Sequence, residues 1–503
     1  MVEPFYITTA ISYPNGPPHI GHAYEAIAAD AIARFQRARG REVRFQTGTD
    51  EHGLKMAQAA RGEGVEPRAF ADKMSRLFQE MCDALNVSYD RFMRTSEAEH
   101  YRASQAIWTA MEERGDLYLD RYEGWYSVRD EAYYEEDELT AAEDGSKLSP
   151  QGTPVEWTVE ESWFFRLSKY QQPLLDLYAA NPDFIRPESR RNEVVRFVEG
   201  GLKDLSISRT SFDWGVPVPA SDNHVMYVWL DALTNYITGL GYPDDTELWR
   251  RFWPADVHLI GKDVVRFHAV YWPAFLMSAG ISLPKQVYGH GFLLSRGEKM
   301  SKSVGNVVDP MVLADRFGVD ALRYFLLREV SFGQDGSYSA EAIVNRANAE
   351  LANSFGNLAQ RTLSMVFKNL AGVLPAPGET AEDRELLDQV AQATQNELPE
   401  AFDRFAFSVG IEAWLKAVFA CNAYVDTQAP WALRKTDPER MAAVLGTLVA
   451  AVRELARAIA PIIPASADKL LTLIDAGEGG AAIPQPTPLF PRLELPEEEE
   501  AAA

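Results

Sequence analysis

Cysteine is nearly missing from this chain: Cys82 and Cys421 are the only two among 503 residues. Thiols so far apart give no disulfide framework and cannot build a four-thiolate zinc site. Residues 116–210 also hold no histidine that could replace the thiolates. Basic residues are outnumbered, 49 against 73 acidic ones, for a formal net charge of −24. A chain with that balance is not a general binder of nucleic acid, so any such contact must be local and salt-sensitive. No apolar run reaches the ~18 residues of a membrane span and no leader is apparent, which predicts a cytoplasmic protein with no membrane partner. Neither GxGxxG nor GxxxxGK[ST] occurs, so the dinucleotide fingerprint and the P-loop are both excluded.

What the chain does carry is two short segments suited to hold a triphosphate. Phe5 to Ala10 is rich in β-branched and aromatic residues and reads as a buried strand; Tyr24 to Arg37 has apolar residues at helical spacing. Between them lies Pro14-Asn15-Gly16-Pro17-Pro18-His19-Ile20-Gly21-His22. At a strand-to-helix junction, free N–H groups and the positive helix end attract phosphate, and Gly21 leaves the backbone open to a nucleotide. His19 and His22, three apart, face one side and can donate hydrogen bonds to phosphoryl oxygens. The second segment, Lys299-Met300-Ser301-Lys302-Ser303, follows another apolar strand-like run, Gln286 to Leu294. Its two compact cations and two hydroxyls, flanked by Gly297 and Gly305, suit a loop that closes on pyrophosphate and releases it.

His19-Ile20-Gly21-His22 and Lys299-Met300-Ser301-Lys302-Ser303 resemble the two signatures of class I aminoacyl-tRNA synthetases. The residues around them resemble bacterial methionyl-tRNA synthetases over nearly the whole chain. That resemblance implies an α/β fold: a Rossmann-like parallel-sheet catalytic domain split by an insertion, followed by a C-terminal α-helical anticodon-binding bundle. It implies ATP with Mg²⁺ as co-substrate, His19, His22, Lys299 and Lys302 as catalytic residues, and further ATP contacts at Gly21, Gly261, Lys262, Asp263, Met300, Ser301 and Ser303. Methionine is expected among Ile11, Tyr13, Trp229, Ala232, Leu233 and Tyr236, with His290 near its side chain. Leu233 stands where some relatives carry proline. Soft aromatic edges suit a thioether, at roughly 0.3–1.5 kcal/mol per sulfur contact.

Asp50 is readable without the resemblance. Val43 to Gly53 reads as a strand ending in a polar cluster, Asp50-Glu51-His52, where an α/β sheet puts ligands. Such a cluster suits an ammonium group or a metal; no second ligand set has matching spacing, which favours the ammonium of an amino acid.

A chain of 503 residues is too long for one core. The expected organisation is residues 1–115 and 211–295 as the two halves of the catalytic domain, 116–210 as the insertion, 296–345 as the lysine loop and stem-contact region, 346–480 as the helical domain, and 481–503 as a strap with an acidic tail. The resemblance would put zinc knuckles with CxxC pairs in the insertion, but Ser127 and Asp130 stand at that spacing, so no structural zinc or other metal is expected. Packing of Trp125, Trp157 and Trp163 would then stabilise the insertion.

From Ala340 to about Leu473 the sequence is alanine-rich with leucines at threes and fours, a helical bundle. Asn357 and Arg361 share a helix face and could reach base edges together; Trp431, after Pro430, offers a stacking platform. The resemblance has these three meeting the CAU anticodon of tRNA(Met), elongator and initiator, with no role for DNA. No folded appendage follows, which predicts a monomer. Two alternatives stay open: a class I synthetase for another apolar amino acid, and a catalytically silent tRNA-binding relative. The short insertion disfavours an editing domain, and both intact signatures disfavour a silent protein.

Overall fold

The computed structural model describes residues 2–130, 132–142, 144–295, 298–299 and 307–495. It divides into two compact units: residues 1–29, 39–83 and 87–290 form one, and residues 30–38, 84–86 and 291–503 the other.

The first unit is built on a parallel sheet. In chain order its elements include β1 (Pro4–Thr9), α1 (Ile20–Ala38, of which the first turns belong here), β2 (Glu42–Thr49), β3 (Arg91–Arg94) and α2 (Ala98–Glu113). The insertion follows with β4 (Leu117–Ser127), β5 (Ala132–Tyr134), β6 (Glu156–Phe165), β7 (Ile185–Arg186) and β8 (Leu205–Ser206). The chain then returns through α3 (Val228–Thr238), β9 (Val257–Gly261) and β10 (Val287–His290). The main sheet has the order β3-β2-β1-β9-β10-β7, every pair parallel. β1 is buried from Phe5 to Thr9, as an inner strand covered on both faces must be, which is why its residues read as one apolar run without alternation. Its neighbours β2 and β9 lie on opposite sides, Ile7 facing Phe45 on one and Val257 on the other. Strand order therefore reverses at β1, and the crevice beyond its carboxyl end is where such sheets bind ligands.

The insertion carries its own antiparallel sheet, β8-β6-β4-β5, with Trp125 paired to Trp157 across β4 and β6. The expected tryptophan packing is present in part, Trp125 and Trp157 meeting edge-on at 5.4 Å. Trp157 is 54% exposed, so it cannot anchor the insertion by burial. Trp163 does pack inward, edge-on to buried Trp108.

The second unit is mostly helical. A small sheet is formed by β11 (Leu293–Ser295), β12 (Glu298–Lys299) and β13 (Gly336–Tyr338). Between β12 and β13 run helices Pro310–Phe317 and α4 (Val319–Glu329), separated at Gly318, whose φ of 86° lies in the region glycine tolerates best. Beyond β13 lie α5 (Asn357–Asn369), α6 (Phe407–Gln428), α7 (Pro430–Thr436) and α8 (Pro438–Ile459) among the described helices. Arg323 on α4 is fully buried yet satisfied: its guanidinium donates to Asp30 (2.6 Å), Ile462 O (2.9 Å) and Pro461 O (3.0 Å). The chain's end is tied down by Asn348, which exchanges two 2.8 Å hydrogen bonds with the backbone of Leu493. Among the described residues no helix is long and apolar enough to cross a membrane.

Candidate active site

A cavity of about 360 Å³ opens in the crevice beyond β1. Ala10, Ile11, Ser12 and Tyr13 come to it from the end of β1, Gly21, His22 and Glu25 from the start of α1, and Asp50 from the end of β2. One face of α3 supplies Trp229, Ala232, Leu233 and Tyr236, at the 0, 3, 4, 7 spacing that lines a single helix stripe. Gly261, Asp263, Val264, Phe267 and His268 follow β9. Arg129, Asp130, Tyr134 and Gln151 close the cavity from the insertion.

The histidine turn is organised by its own backbone. Gly21 N–H donates to His19 Nδ1 (3.0 Å) and His19 N–H to His22 Nδ1 (3.1 Å), while the two rings stack 3.8 Å apart. With both Nδ1 atoms accepting, each neutral ring carries its proton on Nε2 as a donor. Gly21 has a local reason to be glycine: a Cβ there would meet His19 Cε1 at 2.8 Å. Its smallness thus seats the His19 ring, where the sequence had suggested close approach of a nucleotide.

The opposite wall is fixed by buried bonds. His268 Nδ1–H donates to Val264 O (2.9 Å), which leaves Nε2 as acceptor for Tyr236 O–H at 2.6 Å. Burial lowers the His268 pKa to about 4 and raises that of Tyr236 well above the usual phenol value, so both are neutral. Tyr236 stacks on His258 at 4.1 Å, its carbonyl accepts from Tyr6 O–H (2.8 Å), and Trp229 lies flat on Phe267 at 3.7 Å. Behind this wall, Asp231 bridges two imidazoles: Oδ2 to His52 Nδ1 and Oδ1 to His100 Nε2, each 2.6 Å, all three residues buried. Burial by itself would raise the Asp231 pKa, but the two imidazoles outweigh it and hold it at about 2. Asp50, two residues before His52, donates its backbone N–H to Ser12 O (2.9 Å), and Tyr13 O–H donates to His52 O (2.9 Å). The cavity floor is thereby one hydrogen-bonded piece made from β1, β2, α2 and α3.

His290 stands elsewhere than expected. Its Nε2 is 2.8 Å from Glu25 and its ring lies edge-on to Tyr24; the histidines on the cavity wall are His22 and His268. Glu25, buried, has its pKa raised by desolvation, opposed by the bond to His290. His268, Phe267, Glu25 and Asp231 were not singled out from sequence; Val264, Phe267 and His268 fall at the 0, 3, 4 spacing after Gly261-Lys262-Asp263 and could have been. Lys262 lines a neighbouring cavity of about 510 Å³ with Arg266 and Tyr227, beside Asp263 and Phe267, which both cavities share. Lys299 lies in β12 of the second unit, its backbone paired with Leu294. Met300, Ser301, Lys302 and Ser303 lie outside the described residues.

In the second unit Asn357 opens α5 on the exposed side. Arg361, one turn on, places its guanidinium 5.5 Å from the ring centre of Trp431, which is 50% exposed, and 3.3 Å from Asp426. The structure so brings Arg361 and Trp431 together at the surface, with a carboxylate beside them.

At the CxxC-like spacing of the insertion, Asp130 is surrounded by Ser149, Thr153 and Tyr134, with Ser127 behind Thr153. One carboxylate with hydroxyls is not the thiolate and imidazole set that zinc selects, so these residues do not fit that metal.

A reversing parallel sheet, a histidine turn at the first strand-to-helix junction and a separate helical unit define a class I aminoacyl-tRNA synthetase, and the family profile described as tRNA synthetases class I (M) matches residues 5–363. A second profile, the anticodon binding domain of methionyl tRNA ligase, matches residues 374–485. The methionine–tRNA ligase of Brucella suis is 58% identical over 97% of this chain and 98% of its own length; that of Mycobacterium tuberculosis H37Rv is 56% identical over 99% of both. Among solved structures, Mycobacterium tuberculosis methionyl-tRNA synthetase in complex with methionyl-adenylate superposes with a TM-score of 0.94 at 56% identity, covering 98% of this chain and 100% of that one. The free form of that synthetase gives 0.88 at 52% identity, with 99% of each chain covered. The chain belongs to the methionyl-tRNA synthetase family.

Proposed function

We propose that the protein carries out both steps of methionine–tRNA ligation at the cavity beyond β1. In the first step a methionine carboxylate oxygen bonds to the α-phosphorus of ATP, the bond from that phosphorus to the bridging oxygen breaks, and pyrophosphate leaves with the electron pair. In the second, a ribose hydroxyl oxygen of the tRNA terminal adenosine bonds to the methionyl carbonyl carbon, the bond from that carbon to the phosphate oxygen breaks, and AMP leaves with the electron pair while the hydroxyl proton passes to its phosphate. The observation that carries this reading is the shared cavity: Gly21 and His22 of the histidine turn, Asp50 and the stripe Trp229, Ala232, Leu233, Tyr236 line one space, with His19 stacked behind His22.

In that reading Asp50 takes the methionine ammonium, and Ile11, Tyr13 and the α3 stripe surround the thioether. The buried Tyr236–His268 pair presents no charge to it, which suits an apolar side chain. His19 and His22 donate from Nε2 to phosphoryl oxygens, Gly21, Gly261 and Asp263 lie on the ATP side with Lys262 beside them, and Mg²⁺ arrives as the counter-ion of ATP, held by phosphates and water. Lys299, Met300, Ser301, Lys302 and Ser303 neutralise the leaving pyrophosphate. His268 takes the place first given to His290 beside the methionine side chain. Asn357, Arg361 and Trp431 meet the CAU anticodon of elongator and initiator tRNA(Met), working as a monomer in the cytoplasm. The domain ranges 1–115, 116–210, 211–295, 296–345, 346–480 and 481–503 remain the proposed functional division.

Pyrophosphate exchange with ATP and single amino acids tests the reading. Methionine should support exchange far faster than leucine, isoleucine, valine or cysteine; equal exchange with leucine would defeat it. Trp431→Ala should lower charging of CAU tRNA by roughly 1–3 kcal/mol in kcat/KM, the worth of one stacked base, and leave exchange intact. Elemental analysis should find no stoichiometric zinc.

A further inference from the structure

We infer that Asp130 is a positioning residue, the hub of a hydroxyl knot that ties the insertion's cavity-lining loops to one another. Its Oδ2 accepts from three side chains: Thr153 Oγ1 (2.5 Å), Ser149 Oγ (2.6 Å) and Tyr134 O–H (3.0 Å). Behind them Ser127 Oγ lies 2.6 Å from Thr153 Oγ1 and accepts the backbone N–H of Asp130 at 3.2 Å. Ser149 Oγ also accepts the N–H groups of Gln151 (3.2 Å) and Thr153 (3.3 Å). Ser127, Ser149 and Thr153 are buried, at 0%, 1% and 1% exposure.

A hydroxyl has one proton to give, which sets the direction of the bonds around the carboxylate and leaves the 2.8 Å approach of Ser149 Oγ to Thr153 Oγ1 without a proton of its own. Thr153, Ser149 and Tyr134 each give theirs to the carboxylate, so Ser127 must give its own to Thr153. All four protons run toward one oxygen or toward a group that donates to it. Bonds to an ionised acceptor are about twice as strong as neutral ones, so the anion is what sets the orientation of the whole cluster. Without it, two buried serines and a threonine would keep their acceptors and lose the common target of their protons.

The knot joins the two arms of the β4–β5 hairpin, at Ser127 and Tyr134, to the turn 149–153 farther along the chain. Arg129, Asp130, Tyr134 and Gln151, which face the cavity, belong to these same pieces. Fixing the knot therefore fixes the side chains that close the cleft from above. That is the mechanical task for which a metal would otherwise bind two pairs of ligands, done here by a carboxylate and hydroxyls. The inference rests on the reading that methionine and ATP meet in this cavity.

The test uses the full chain. Asp130→Ala should lower kcat/KM for methionine-dependent pyrophosphate exchange at least about fivefold, through KM, with kcat changed less than about twofold. Its circular dichroism and thermal midpoint should match those of the parent. Asp130→Asn, which keeps the shape and one acceptor, should fall between. Asp130→Ala combined with Thr153→Val should be no worse than Asp130→Ala alone, since both break one cluster. An unchanged KM in Asp130→Ala, or losses that add, would overturn the inference. Were the parent itself inactive with methionine, the functional reading would fall instead. The knot would then be read from amide exchange over residues 127–134, which Asp130→Ala should accelerate at least about tenfold and which, if unaltered, would refute it.

Discussion

The floor and the roof of the cavity are held in different ways. The floor joins β1, β2, α2 and α3 through groups with almost no exposure, the chains His52–Asp231–His100 and Tyr6–Tyr236–His268. The roof is a small antiparallel sheet whose tryptophan at 157 is half-exposed and whose cavity-lining loops are tied to one another around one half-buried carboxylate. Burial makes every polar group of the floor a stability term, because none can turn to water when its partner is lost. On the roof, the hydroxyls are buried but Asp130 itself is only half-buried and lies on the cavity lining, so water in the cavity can replace its carboxylate as their acceptor, and its loss should appear in substrate binding more than in folding. The same fold thus separates residues whose replacement unfolds the unit from residues whose replacement loosens a wall.

The largest expected effect is on the floor. Asp231→Ala removes the anion that two buried imidazoles face and should destabilise the first unit by about 3–5 kcal/mol, read as a lower urea midpoint. Tyr236→Phe is gentler: it keeps the ring stack on His258 but leaves His268 Nε2 without its donor. It should cost about 1–3 kcal/mol in the same measurement and raise the KM for methionine. If Asp130→Ala shifted the urea midpoint as far as either, floor and roof would be one cooperative structure and the contrast would collapse.

Proton linkage sharpens the comparison further. The folded pKa of His268 lies at about 4, below the 6.5 of an unperturbed histidine. A group with a depressed folded pKa contributes stability that is fully present above its unfolded value, so this contribution is lost as pH falls from 6.5 toward 4. Asp231, at about 2 against 3.8, gives a second, lower window. Thermal midpoints followed from pH 7 downward should therefore begin to fall below about 6.5, and His268→Gln should flatten that first decline.

Much of this was legible in the sequence, and the parts that were not share a cause. β1, the histidine turn and the helical unit are set by local pattern: an apolar run, a strand-to-helix junction, leucines at threes and fours. The α3 stripe Trp229, Ala232, Leu233, Tyr236 is likewise a periodicity, and it lines the cavity with Ile11, Tyr13 and Asp50. The spacing after Gly261 could have put His268 beside His290 as a candidate, but the choice between them depends on which neighbour takes each nitrogen: Tyr236 for one, Glu25 for the other. Asp231 looked like one more polar residue on a helix until His52 and His100 were seen to converge on it. Ser127 and Asp130 were legible only by their CxxC-like spacing, and Ser149 with Thr153 carry no sequence signal, since isolated hydroxyls are ordinary surface residues until the fold brings them to one carboxylate. Trp157 was read as a packing residue and does meet Trp125 edge-on, but it does so at the surface, which sequence could not show.

Native-state amide exchange, residue by residue, tests the division between floor and roof most directly. The account predicts that amides of α3, nearly every residue of which is buried, exchange only through global unfolding of the first unit, while those of residues 127–134 exchange through a local opening of much lower free energy that Asp130→Ala lowers again. Equal opening free energies for the two segments, or an Asp130→Ala variant in which α3 loses as much protection as the roof, would contradict it.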